Sequence, residues 1–275
     1  MSALRRESTG DVSYLRRDGQ GTPLVLLHGI GSNAQSFVPL LSALPEDRPV
    51  VAWDAPGYGD SKPMTKDWPR AGDYADVLDR LLGTLGITRG VMIGHSLGTL
   101  IAAHFAAAKP RQVSHLVLIS PTFGYQAPNG GPMPANVVQR LQDLITLGAA
   151  GFAEIRAPGL LADPQGQPQL LAAVRTAMAS VKRPGYDHAV RMLAQGRLRD
   201  DLIRVEAPTL VIVGSKDRTT PPAVAREAYA ALDNMTGRHA YREIEGAAHA
   251  VCQEQPGAVA HAISEAIGNK ATSHA

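Results

Sequence analysis

The chain has 275 residues, 44% of them hydrophobic, a formal net charge of +2 and one cysteine. Lys and Arg are spread along it instead of forming a stripe, which argues against nucleic acid as a partner, and a lone Cys252 excludes an intrachain disulfide and a cysteine metal cluster. The start, Met1 to Glu7, lacks the apolar stretch of a secretory signal, and no run reaches membrane-spanning length. A soluble cytoplasmic protein with no membrane partner is expected.

In chain order, Val12-Ser13-Tyr14-Leu15 alternates in polarity and predicts part of an antiparallel edge hairpin. Continuous apolar runs follow at Leu24 to Leu27, Val50 to Trp53, Val91 to Ile93, Leu116 to Ile119 and Leu210 to Val213, with a last strand-like stretch at Ala240 to Ile244. Continuous hydrophobicity suits parallel strands covered by helices on both faces. Asp73 to Leu85 and Leu100 to Ala108 read as two of the intervening helices, and another begins near Pro256. The alternation stops after Ser120 and resumes at Pro208. Between them a Pro- and Gly-rich loop leads into helical patterns at 137–147, 169–181 and 187–198. The expected fold class is α/β, a mostly parallel doubly wound sheet. Residues 1–121 and 206–275 would form the core domain, and 122–205 a helical cap inserted over the carboxyl ends of the strands, where such sheets bind ligands. Gly268 to Ala275 is expected to fray.

Gly94-His95-Ser96-Leu97-Gly98 lies between the strand Val91 to Ile93 and the helix that follows. A strand turning sharply into a helix strains its pivot residue, and glycines on either side relieve the crowding. The turn lifts the Ser96 hydroxyl above the sheet edge, where the helix start aims N–H groups at the same point. Serine needs a base, itself oriented by a third group. Asp217 sits on the loop after Leu210 to Val213, and His249 follows Ala240 to Ile244. The order Ser96, Asp217, His249 is that of nucleophile, acid and base on this type of sheet. The N–H of Leu97, and that of Ile30 on the His28-Gly29-Ile30-Gly31 loop, are the expected oxyanion donors. His28, Gly29 and His95 are the nearest candidates to touch substrate, although His28 reads better as packing behind the loop. Asp54 is expected to hold its own turn, and Cys252 to be a buried hydrophobe.

These residues, with Asp54-Ala55-Pro56-Gly57-Tyr58-Gly59-Asp60-Ser61, resemble the α/β-hydrolase superfamily over nearly the whole chain except the cap. The chain looks most like its bacterial esterase, enol-lactonase and meta-cleavage-product hydrolase group. The resemblance implies a hydrolase without cofactor or metal, acting on a small molecule as a monomer or homodimer. Ser96 would attack a carbonyl, His249 move the proton and Asp217 hold the imidazole. Ile30-Gly31-Ser32-Asn33 departs from the Ser-Gly-Pro-Gly stretch of the ring-fission enzymes, which leaves an ester or lactone as first expectation and carbon–carbon hydrolysis as runner-up. Serine at the elbow argues against epoxide hydrolases and dehalogenases, and Leu97 in place of Met against perhydrolases. A non-catalytic receptor on the same scaffold is the alternative from another class. From Thr122 to Asp200 eight Lys and Arg face five Asp and Glu. That excess could attract a carboxylate-bearing substrate, although most of these residues are expected simply to solvate helix faces.

Overall fold

The computed structural model describes residues 3–232 and 239–268. Within them the strands are β1 (Arg5–Thr9), β2 (Val12–Arg17), β3 (Leu24–Leu27), β4 (Val50–Trp53), β5 (Gly90–His95), β6 (Val113–Ile119), β7 (Thr209–Gly214) and β8 (Ala240–Ile244). They make one sheet in the order β1-β2-β4-β3-β5-β6-β7-β8. Pairing is antiparallel from β1 through β2 to β4 and parallel from β4 to β8. Helices α1 (Val38–Ala43), α2 (Ala71–Thr84) and α3 (Leu97–Ala108) precede β6. Helices α4 (Ala135–Arg156), α5 (Pro168–Ala179), α6 (Gly185–Gln195) and α7 (Leu198–Leu202) lie between β6 and β7, and α8 (Pro222–Ala230), α9 (Val251–Glu254) and α10 (Pro256–Ala266) follow.

The apolar runs are continuous because both faces of each central strand are covered. Val25 and Leu27 pack with residues of α2 and α3, while Leu24 and Leu26 pack with residues of α1 and α10. Adjacent residues of β5, β6 and β7 divide between the two layers in the same way. From β3 the chain passes to β4 on one side and returns to β5 on the other. That reversal opens a crevice at the carboxyl ends of β3 and β5, the place where open α/β sheets take ligands.

The segment between β6 and β7 carries no strand among the described residues. The expected helix at 137–147 is the first limb of α4, which breaks at Gly148 (φ 66°, ψ 173°). Arg156 then donates to Asp143, 13 positions back, at 2.6 Å. Thirteen residues of straight helix would span about 20 Å, so the two limbs turn back on each other. The second limb begins with the small residues Ala149, Ala150 and Gly151, whose weak amphipathic pattern hid it. Glu254 ties the segment to the sheet edge, accepting from the Ala162 and Ala248 N–H groups at 2.7 Å each. The Ala250 N–H donates to the Leu160 carbonyl at 2.9 Å.

Asp54 does more than hold its own turn. It is fully buried, pairs with Arg6, and accepts from the Ser13 hydroxyl at 2.7 Å and the Ala34 N–H at 2.9 Å. It therefore fastens β2, β4 and the loop after β3 to one another. Its partners are distant in sequence, and no local pattern announces them. No helix among the described residues is long and apolar enough to cross a membrane. The tail expected to fray lies, beyond Gly268, outside the described residues.

Candidate active site

Ser96 has φ 51° and ψ −117°, a conformation that side chains normally avoid. The strand-to-helix turn imposes it, and close backbone approach fixes what may flank it. A Cβ on Gly94 would lie 2.4 Å from the Gly98 carbonyl oxygen, and one on Gly98 would lie 2.1 Å from the Leu27 carbonyl oxygen. The Ser96 N–H is spent on the Ile119 carbonyl of β6 at 2.9 Å, which pins the pivot to the neighbouring strand.

Asp217, on the loop after β7, and His249, on the loop after β8, come together behind this turn. His249 Nδ1 donates to Asp217 Oδ2 at 2.8 Å, which leaves Nε2 as the proton acceptor. The other oxygen, Oδ1, accepts from the N–H groups of Thr219 and Thr220 at 2.8 and 2.9 Å. Burial alone would raise the Asp217 carboxyl, but the charge and hydrogen bond of His249, aided by Thr220, outweigh it and bring it down to about 2. Ser96 and His249 line one cavity of about 320 Å³. The Ser96 hydroxyl makes no hydrogen bond to His249, a contact that often tightens only when substrate binds. Ile30 and Leu97 border the same cavity, and neither N–H has an acceptor among the described residues. Two unspent donors beside a strained serine can stabilise a developing oxyanion.

Gly29 and His95 also line the cavity, but His28 does not. The reading of His28 as a substrate contact is corrected by the use of its ring. Nδ1 donates to the Gly29 carbonyl at 2.8 Å, Nε2 accepts from the Ala55 N–H at 3.0 Å, and the ring packs edge-on to Tyr58. His28 therefore braces the loop that carries Ile30. His95 donates from Nε2 to the His249 carbonyl at 2.8 Å and so holds the backbone at His249.

The alpha/beta hydrolase family matches residues 24–262. The chain belongs to the alpha/beta hydrolase family. Among its relatives, the (E)-2-((N-methylformamido)methylene)succinate hydrolase of Acinetobacter baylyi is 28% identical over 76% of this chain and 78% of its own. The pimeloyl-[acyl-carrier protein] methyl ester esterase of Shewanella woodyi is 33% identical over 77% of this chain and 82% of its own. In fold the chain is similar to the crystal structure of the enol-lactonase from Burkholderia xenovorans LB400, with TM-score 0.82 at 22% identity. That alignment covers 96% of this chain and 99% of the other.

Two features of this alpha/beta hydrolase escaped sequence reasoning. Thr220 Oγ1 lies 3.0 Å from Asp217 Oδ2 and 3.3 Å from His249 Nδ1, and donates to the Ser120 carbonyl region at 3.1 Å. Its only sequence signal was a hydroxyl three residues after a carboxylate. Glu254, which joins the His249 loop to α4–α5 territory, had none. Cys252 is buried, and burial pushes its thiol up to about 12, as an inert small hydrophobe requires. No cluster of His, Cys, Asp and Glu among the described residues could hold a metal.

His28 is buried and His95 half-buried, and both titrate below their ordinary value, first because of desolvation; for His95 the value falls to about 3. Below about pH 6.5, and for His95 down to about pH 3, the unfolded chain therefore binds more protons at these sites than the folded one does. Their contribution is full above about pH 6.5 and is lost as the pH falls. His104, raised by its hydrogen bond to Asp201, works in the opposite direction, so the comparison must be internal. The urea midpoint of the wild type should drop more steeply from pH 7.5 to 5 than that of His95→Gln. Parallel slopes would contradict this assignment.

Proposed function

We propose that the protein is a serine hydrolase of small carboxylic esters or lactones, working through an acyl-enzyme on Ser96. The observation that carries this reading is the Asp217–His249 pair at 2.8 Å, lining one cavity with a serine in a strained turn and two unspent N–H donors. Ser96 Oγ attacks the carbonyl carbon while His249 Nε2 takes its proton. The oxyanion is held by the N–H groups of Ile30 and Leu97. Collapse breaks the bond to the alcohol oxygen, which receives the proton from His249; in a lactone that alcohol stays tethered to the acyl chain. Water, deprotonated by His249, then attacks the acyl carbon, and collapse frees Ser96 and the acid.

Residues 122–205 act in this reading as a cap over the crevice, since α4 and α5 supply part of the lining of the cavity that contains Ser96. A cavity of about 320 Å³ is at the lower end of ligand pockets, which suits a short acyl group. The ester names borne by relatives support the same class. The test is a profile across p-nitrophenyl esters of increasing chain length beside a lactone panel. Turnover falling off beyond a short acyl chain is expected. Inertness toward both panels, with loss of chromophore from a ring-fission dienoate, would move the reading to carbon–carbon hydrolysis. A single fluorophosphonate labelling event without turnover of any substrate would favour a receptor.

A further inference from the structure

Two arginines line the cavity that contains Ser96, and among the described residues no aspartate or glutamate does. They stand on opposite limbs of α4, Arg140 before the Gly148 break and Arg156 after it. Arg156 has a counter-charge, because its guanidinium donates to Asp143 at 2.6 Å and lies over the Phe152 ring. Its Nε–H, however, is buried without an acceptor. Arg140 has no carboxylate within ion-pair distance among the described residues. It lies near the Tyr186 hydroxyl and, at longer range, acts on the same Asp143 that already holds Arg156.

Two cations thus share one carboxylate, and the lining of the cavity that contains Ser96 keeps one positive charge in excess. The other cap cations are either on the outer surface or paired there, as Arg199 is with Glu227 and Arg183 with Asp187. A guanidinium on the wall of a half-enclosed cavity offers a planar fork suited to a carboxylate, and the surrounding low dielectric strengthens the pairing.

We propose that Arg140, assisted by Arg156, binds a second, ionised carboxylate of the substrate, so that the bond cleaved at Ser96 is an ester or lactone of a dicarboxylic acid. This rests on the hydrolase reading above and deepens it by naming the substrate class. The neutral remainder of the cavity, including Ile155, Leu160, Val174 and Met178, would cover the methylene chain between the two carboxyl carbons.

The test compares mono-p-nitrophenyl esters of succinic, glutaric and adipic acid with the same compounds capped as methyl esters, equal in reach and lacking the charge. The wild type should favour the best anionic ester over its capped partner by about ten- to a hundredfold in kcat/KM, chiefly through KM. Arg140→Gln should collapse that ratio toward one, Arg140→Lys should restore part of it, and Arg199→Gln should leave it unchanged. A wild-type ratio near one, or a ratio that survives Arg140→Gln, would overturn the proposal.

A second measurement keeps the two readings separable. Thermal unfolding of Ser96→Ala is followed with adipate and with hexanoate, so no chemistry is required. Stabilisation by adipate above that by hexanoate, lost in Ser96→Ala/Arg140→Gln, supports the anion site even where no ester is cleaved, in which case the hydrolase reading alone fails. Equal stabilisation by the two acids would count against the anion site whatever the kinetics of the esters.

Discussion

Ser96→Ala is expected to lower turnover of the best ester or lactone by about four to six orders of magnitude, leaving only what the oxyanion donors and binding provide. Asp217→Asn should cost about four orders, for a reason that can be read from its partners. Oδ1 already accepts two N–H groups, from Thr219 and Thr220. An asparagine would therefore keep its carbonyl there and turn its NH2 toward His249 Nδ1. That nitrogen must then accept, the ring proton moves to Nε2, and the base can no longer take the proton of Ser96. Steady-state kinetics of both variants near neutral pH provide the check. A value of kcat within tenfold of wild type for Asp217→Asn would show that the pair orients nothing.

The other large effect falls on folding. Gly98→Ala should destabilise the protein by at least about 4 kcal/mol, a large part of the stability of an ordinary domain. The added Cβ would lie 2.1 Å from the Leu27 carbonyl oxygen and 3.0 Å from that of His28, both of them backbone atoms. Backbone cannot rotate away as a side chain can, so α3 would have to lift from the sheet and carry the Leu97 N–H with it. Gly83→Ala is the control, since its Cβ would meet nothing within 4 Å, and helix propensity favours alanine by up to about 1 kcal/mol. Urea unfolding of the two variants separates these outcomes. A Gly98→Ala protein as stable as wild type would mean that the approach of α3 to β3 is looser than described.

The central sheet was legible because its strands are buried twice over. β3, β4 and β8 coincide with the predicted runs, while β5, β6 and β7 extend beyond them into Gly90, Val113 and Gly214, residues whose small size or position at a strand end carries little hydrophobic signal. The helices between β6 and β7 were legible only where one face is strongly apolar. The second limb of α4 and the short α7 were not, since the first is rich in alanine and glycine and the second is five residues long.

At the site, chain order was enough to bring forward Ser96, Asp217 and His249, and the structure brings Asp217 and His249 into hydrogen bonding. His28 shows what order cannot supply. A histidine beside a loop glycine looks the same whether its ring faces the cavity or the core, and the deciding partner, the Ala55 N–H, is 27 positions away. The arginines show the same limit in another form. Eight cations from Thr122 to Asp200 read as solvated faces, and only folding distinguishes Arg140, on the cavity wall without its own carboxylate, from those paired on the surface.

The central claim is that Ser96 carries the acyl group between two chemical steps. It is tested by mixing the wild type with excess p-nitrophenyl acetate, quenching in acid at short times, and mapping the acylated peptide by mass spectrometry. A burst of p-nitrophenol with the acetyl group on Ser96 is expected, and neither burst nor adduct in Ser96→Ala. An adduct on another residue, or full turnover by Ser96→Ala, would contradict it.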